Sequence, residues 1–164
     1  MALDRLAFGA RPGDVEKVRA MGVDAWIQQQ LNPERIPDPD VERRVSGLEV
    51  PKMSTAQLFA KYPNPAMIFA QEGIRKKDAK ADEDQDALKR KLVKEYRDKG
   101  YGRPRDVYLQ LGTDRLLRAT YSERQLQEVM VDFWSNHFNV YAKKNVVQWY
   151  LPTYDREVIR PHGA

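Results

Sequence analysis

Apolar residues in this 164-residue chain recur at spacings of three and four wherever they form a regular pattern, and no alternating run of β-branched residues competes with them. That spacing places side chains on one face of an α-helix, whereas a strand requires a spacing of two. Ten prolines and nine glycines divide the pattern into short segments. The sequence therefore predicts an all-α fold, an irregular array of several helices.

The first regular segment lies near the N-terminus. Val15, Val18 and Met21 are spaced by three, and Gly22 follows them in the position of a C-terminal cap. A second short helix through Trp26 ends before Pro33, because the residue preceding a proline disfavours the helical conformation. These segments predict an N-terminal helical hairpin.

A longer amphipathic helix is predicted in the C-terminal half. The segment 122–125, Ser-Glu-Arg-Gln, has the form of a capping box that begins a helix at Ser122. Glu128 and Asp132 fall on a polar face of this helix. The opposite, apolar stripe is expected to face the core and to end at a histidine; it consists of Leu126, Val129, Met130, Phe133, Trp134 and His137.

The positive charge is concentrated in one part of the chain. The whole chain has 28 Lys and Arg against 24 Asp and Glu, and residues 75–105 contain twelve of the basic residues and seven of the acidic ones. We expect residues 75–86 to be a charged linker and the stretch after them to be an exposed helix. A basic segment can bind an anionic partner such as nucleic acid, but a solvated helix and linker of mixed charge accounts for this one, so nucleic acid is not the partner we expect.

A short motif within the basic segment has two interpretations. The segment 102–105, Gly-Arg-Pro-Arg, resembles the core of an AT-hook, in which arginine enters the minor groove of A·T-rich DNA. Arg103 and Arg105 are therefore the candidate nucleic-acid-binding residues. The alternative is that Pro104 is the first residue of a helix, since proline is favoured there.

Several classes of site are excluded or disfavoured by composition. The chain has no cysteine, which excludes disulfide frameworks, cysteine nucleophiles and cysteine-ligated metal centres, and its two histidines leave little for a histidine-rich site. Asp82, Asp84 and Asp86 resemble the start of a calcium loop, but Ala87 and Val93 stand where that loop needs Gly and Glu. We expect an acidic first helical turn there. No cofactor, metal or membrane span is predicted.

The two histidines are the candidate catalytic residues. His137 follows Asn136, and His162 follows a basic and acidic stretch, so a general acid or base oriented by a polar neighbour is one interpretation. The other is a partly buried structural histidine and a second one near a frayed terminus. A triad of Asp132, Ser135 and His137 fails, because residues two and five apart on a helix point about 200° and 140° away from each other.

Three segments carry a resemblance to a known bacterial family. They are residues 3–15 (LDRLAFGARPGDV), residues 122–140 (SERQLQEVMVDFWSNHFNV) and residues 154–162 (YDREVIRPH). Together they resemble the family catalogued as domain of unknown function 1800. The motifs Phe-Trp-x-Asn-His-Phe and Arg-Pro-His are the specific ones.

The resemblance implies large proteins, often exported and without an assigned activity, frequently encoded beside a sulfatase-like exported protein. Residues 1–164 are then expected to be one helical domain or the N-terminal part of a larger one, located outside the cytoplasm or in the cell envelope, although the chain shows no signal peptide. The leading hypothesis is a binding or assembly module, whose partner is itself, the remainder of the family fold or the sulfatase-like neighbour. We expect exposed apolar surface around Trp149 and Tyr150. The alternatives are a hydrolase-like enzyme using His137 and nucleic-acid binding through residues 75–105.

Overall fold

A computed structural model describes residues 2–71, 82–138, 140–142, 144 and 146–162, with the side chains of 82–85 left out. These residues form helices and turns without strands, which confirms the all-α prediction. The α-helices are α1 (Leu3–Leu6), α2 (Asp14–Met21), α3 (Val23–Gln30), α4 (Pro39–Val45), α5 (Thr55–Lys61), α6 (Pro65–Gln71), α7 (Asp82–Asp98), α8 (Pro104–Tyr121), α9 (Gln125–His137) and α10 (Leu151–Tyr154). Short 3₁₀ turns cover Pro33–Arg35, Val50–Lys52, Val147–Trp149 and Arg160–His162, and a π-helical turn covers Asp155–Ile159.

The N-terminal hairpin is formed by α2 and α3, as predicted. Gly22 joins them with φ +92°, a backbone conformation that residues other than glycine rarely adopt. Leu3 of α1, Val18 and Trp26 are buried together and form a small apolar core. The hairpin is thus held by its own packing and by α1.

Helix α8 is the longest helix and begins at Pro104, in agreement with the helical interpretation of the Gly-Arg-Pro-Arg motif. The chain enters it through Gly102, whose backbone N–H donates to the carbonyl of Lys61 at 2.8 Å. A Cβ atom at Gly102 would lie 2.2 Å from Cε1 of the buried Tyr62 ring. This glycine is therefore required for close packing of the α8 start against the end of α5.

Trp149 lies at the centre of the main core and is 1% exposed. Its Nε1–H donates to the carbonyl of Tyr62 at 2.6 Å, and its ring stacks on Phe59 with centroids 5.3 Å apart. The expectation of exposed surface is therefore wrong for Trp149, whereas the neighbouring Tyr150 is 53% exposed.

The predicted capping box at Ser122 is wrong. Helix α9 begins at Gln125, and Ser122 caps the end of α8. The Ser122 hydroxyl is fully buried, donates to a carboxylate oxygen of Asp38 and accepts from the backbone N–H of Arg124 at 3.0 Å. Because this long-range bond to Asp38 occupies the hydroxyl, Ser122 belongs to a buried turn between two helices.

The charged segment is described only in part. Residues 75–81 of the predicted linker lie outside the described residues, and 82–86 are the first turn of α7, as expected for an acidic helix start. The Tyr96 hydroxyl on α7 donates to the carbonyl of Pro63, which connects the helix to the end of α5. Among the described residues no helix is long and apolar enough to cross a membrane.

Candidate functional site

The second half of α9 presents a group of ring side chains to solvent. Phe133 and Phe138 are 51% and 53% exposed, and His137 is exposed between them. The His137 ring stacks on Phe133 at 5.8 Å and meets the edges of Trp134 and Phe138 at 5.7 and 4.8 Å. The prediction that this stripe faces the core holds for Leu126 but is wrong for Phe133 and His137, because the buried side of α9 includes Glu128 and Val131 instead.

The C-terminal turns continue this surface. A cavity of about 450 Å³ lies between α9 and the π-helical turn. His162 lines it, and Val158 on its wall is 47% exposed. We call the whole surface the aromatic face; it consists of Phe133, Trp134, His137, Phe138, Tyr154, Val158 and His162.

The structure thus brings both candidate histidines to one surface, since Trp134 and Phe138 contact His137 and line the cavity together with His162. It gives neither ring an orienting group: in the described part of the chain, no hydrogen bond reaches either imidazole. The Asn136 amide donates to Asp132 at 3.2 Å. A catalytic role for His137, His162 or Asn136 stays a prediction.

The two candidate nucleic-acid-binding arginines are exposed. Arg103 precedes the first residue of α8, and its backbone N–H donates to Asp106 at 3.3 Å. Arg105 lies in the first turn of α8, with its Nε 3.9 Å from Asp106. The second half of the motif is therefore helical, only Gly102 and Arg103 precede the helix, and nucleic-acid binding stays a prediction.

A buried cluster of charged side chains lies beside the π-helical turn. Arg160 is at its centre: Nη1 donates to both oxygens of Glu128 at 2.9 and 3.1 Å, and Nε donates to Asp155 at 3.0 Å. Its Nη2 is buried, 3.8 Å from Asp114, and has no hydrogen-bond partner within the described ranges of the chain. The three carboxylate side chains are only 4 to 5% exposed.

Two further arginines of α8 complete this charge cluster. Arg118 donates from Nε to both oxygens of Asp114 at 3.1 Å and from Nη1 to Glu42 at 3.2 Å. Arg115 donates from Nη2 to Asp155 at 2.7 Å. Each buried carboxylate therefore has at least one guanidinium partner, which burial of a charge requires.

Burial and pairing shift the pKa values within the charge cluster. Burial raises the pKa of Glu128 above its usual value, although Arg160 opposes that shift. Burial lowers the pKa of Arg160, but the carboxylates of Glu128 and Asp155 outweigh it and the net shift is upward. Burial also lowers the pKa of Arg118, but the carboxylate of Asp114 outweighs it and the net shift is again upward. Perturbed groups gathered at one place are typical of functional sites as well as of structural ion pairs.

The charge cluster adjoins a second cavity, of about 530 Å³. The π-helical turn places Asp155 and Arg160 together, because its i, i+5 hydrogen-bonding pattern brings residues five apart onto one side, where an α-helix separates them. Short π-helical segments recur at functional sites. The cavity lies between this turn, α8, α4 and the 3₁₀ turn Val50–Lys52.

The sequence pattern does not predict the charge cluster, because it indicates only that Glu128 lies on a polar face of α9. Its members come from distant positions: Arg160 lies 32 residues after Glu128 and five after Asp155. A spacing of five is not a helical pairing signal. The only available hint was the density of charge in residues 155–160 beside apolar residues.

Comparison with curated proteins and with solved structures finds no significant match. The family model described as "Protein of unknown function (DUF1800)" matches residues 1–164. The resemblance carried by the Phe-Trp-x-Asn-His-Phe and Arg-Pro-His segments is thereby confirmed over the whole sequence, and the chain belongs to the DUF1800 family.

Proposed function

We propose that this chain is a helical binding or assembly module and that the aromatic face is its contact surface. The observation that supports the proposal is the exposure of two phenylalanines on adjoining turns of α9, beside an apolar cavity. Contiguous apolar patches are rare on monomers and are typical of interaction sites. Isolated exposed residues such as Leu116 have no such meaning.

The partner that we propose first is a second copy of the chain. A surface that carries both exposed aromatic rings and a cavity can be complementary to itself, because a ring of one copy can enter the cavity of the other copy. Aromatic side chains also dominate the energetics of protein interfaces. His137, between the two phenylalanines, then lies within the contact, and its imidazole is a polar group that can be buried there or hydrated.

Sedimentation velocity over a wide range of protein concentration tests the proposal. We expect reversible self-association of the natural chain. A half-exposed phenylalanine that becomes fully buried contributes on the order of 1.4 kcal/mol, and a symmetric dimer loses Phe138 from both copies, so Phe138→Gln should weaken association about a hundredfold. Leu116→Gln is the matched control, since Leu116 is 68% exposed on α8 and lies apart from the aromatic face.

One sedimentation coefficient at all concentrations, together with no binding of a hydrophobic dye, would contradict the proposal. Equal weakening by Phe138→Gln and Leu116→Gln would show that association does not use the aromatic face.

A further inference from the structure

We propose that the cavity beside the charge cluster binds a phosphate group, with Arg118 as the principal donor and Lys52 and Arg156 at its walls. This site is separate from the aromatic face, and the inference does not rest on the proposed function. Four cationic side chains line the cavity, against three acidic ones. The cationic ones are Lys52, Arg118, Arg156 and Arg160; the acidic ones are Glu42, Asp114 and Asp155.

The acidic residues of the lining are already engaged. Glu42 and Asp114 both accept from Arg118, and Asp155 accepts from Arg115 and Arg160. Both oxygens of Asp114 and of Asp155 therefore accept from guanidinium groups of the protein itself, and Glu42 accepts at one of its oxygens.

The arginines, by contrast, have donors left over. A guanidinium has five N–H groups, and Arg118 uses only its Nε and Nη1, so its Nη2 has no acceptor among the described residues. Arg160 Nη2 is likewise without an acceptor, and it is buried. Arg156 donates from Nη1 to the carbonyls of Pro51 and Met53 and from Nη2 to Glu157 at 2.7 Å, which leaves its Nε without an acceptor among the described residues. A cavity with surplus donors and mostly engaged acceptors selects a ligand rich in acceptor oxygens.

The arrangement of the donors favours phosphate over a carboxylate. Arg118 comes from α8, Arg156 from the π-helical turn and Lys52 from a 3₁₀ turn, so the donors approach from separate elements of the cavity wall. A planar carboxylate matches the fork of one guanidinium, whereas a phosphate presents oxygens in several directions and accepts from all three.

The donors are also held in position before a ligand arrives. Asp114 fixes Arg118 through both carboxylate oxygens, and two backbone carbonyls hold Arg156. Side chains that are already ordered lose little conformational entropy on binding, which favours affinity for a small anion. The π-helical turn that assembles Asp155 and Arg160 is the independent structural feature at the same place.

Isothermal titration calorimetry with inorganic phosphate, at an ionic strength held constant with chloride, tests the inference. A second titration with phenyl phosphate distinguishes free phosphate from a phosphate carried by a larger molecule, for which the 530 Å³ cavity has room. We expect saturable binding of at least one of the two and no saturable binding of acetate.

Two variants and a control locate the binding. Lys52→Gln removes an exposed cation that donates to a backbone carbonyl and has no carboxylate partner among the described residues, so the variant should still fold. We expect its phosphate binding to be about tenfold weaker, which corresponds to the loss of one charge-assisted hydrogen bond. Arg118→Lys keeps the charge but removes the fork, and should weaken binding at least as much. Lys94→Gln on the exposed face of α7 is the matched control and should bind as the natural chain does.

Absence of saturable binding of both phosphate compounds would overturn the inference, and so would equal weakening by Lys52→Gln and Lys94→Gln, which would indicate a general charge effect. If Arg118→Lys does not fold, the comparison of the two lysine variants decides.

Discussion

Replacing Arg160 by methionine tests the energetics of the charge cluster. The substitution leaves Glu128 buried without the guanidinium that donates to both its oxygens, whereas Asp155 keeps Arg115 at 2.7 Å. Loss of one partner from a buried ion pair costs about 3–5 kcal/mol, because the remaining charge stays desolvated. That is a large part of the roughly 5–15 kcal/mol that stabilises an ordinary domain.

The destabilisation by Arg160→Met should depend on pH with a definite sign. Burial already raises the pKa of Glu128 in the folded chain, so its contribution to stability is present below the unfolded-state pKa and is lost as pH rises through the folded-state pKa. Removing Arg160 removes an attraction that lowers this pKa, and the folded-state pKa rises further. The variant should therefore lose more stability at pH 8 than at pH 4.

Urea unfolding, followed by tryptophan fluorescence at both pH values, gives the free energy of unfolding of the variant and of the natural chain. In the difference between these two free energies, the contributions common to both chains cancel. Each unit of additional pKa shift corresponds to about 1.4 kcal/mol, and we expect the loss to be at least that much smaller at pH 4. Adding Glu128→Gln to Arg160→Met should restore part of the stability and remove the pH dependence. An equal loss at pH 4 and pH 8 would show that Glu128 is not the charge left uncompensated.

Four further substitutions test the packing and the buried hydrogen bonds of the fold, each by urea unfolding. Gly102→Ala should destabilise the chain by about 1–3 kcal/mol, because the added Cβ overlaps the buried Tyr62 ring. Gly112→Ala lies inside α8 with open space around it and should instead stabilise the chain by about 1 kcal/mol. If Gly112→Ala were the more destabilising of the two, the close packing at Gly102 would be contradicted. Trp149→Phe should cost about 1–3 kcal/mol, since the Tyr62 carbonyl loses its donor at 2.6 Å; an unchanged midpoint would mean that water replaces it. Ser122→Ala should lower the free energy of unfolding by a similar amount, because the buried Asp38 carboxylate loses the hydroxyl that donates to it. A change within about 0.5 kcal/mol would indicate that the turn rearranges.

The sequence predicts elements of this fold where local signals suffice. The hairpin at Gly22 and the start of α8 at Pro104 depend on cap and turn residues whose preference is set within a few positions. The direction in which a helix faces depends on what packs against it. The apolar stripe of α9 is continuous in sequence from Leu126 to His137, yet only its first part meets the core.

The charge cluster was beyond such local reasoning. The local pattern indicates only that Glu128 is a polar residue on a helix surface. Its burial depends on Arg160, which lies in a distant turn and donates to its carboxylate. The sequence marks His137 and His162 as candidates, but it does not predict the aromatic face, because the periodicity places Phe133, Trp134 and His137 toward the core.

The π-helical turn has a consequence for how this part of the chain tolerates changes in length. Such a turn contains one residue more than an α-helical path between the same ends requires. Deleting one residue from within Asp155–Ile159 would therefore leave a continuous α-helix between the same ends, in which Asp155 and Arg160 are four positions apart and still share one side. Arg160 should stay beside the carboxylates, and His162 should stay at the aromatic face. A further residue inserted there would instead rotate every side chain after it by about 100° around the helix axis. The two surfaces are therefore coupled through the length of this turn, which should tolerate the loss of one residue better than the gain of one.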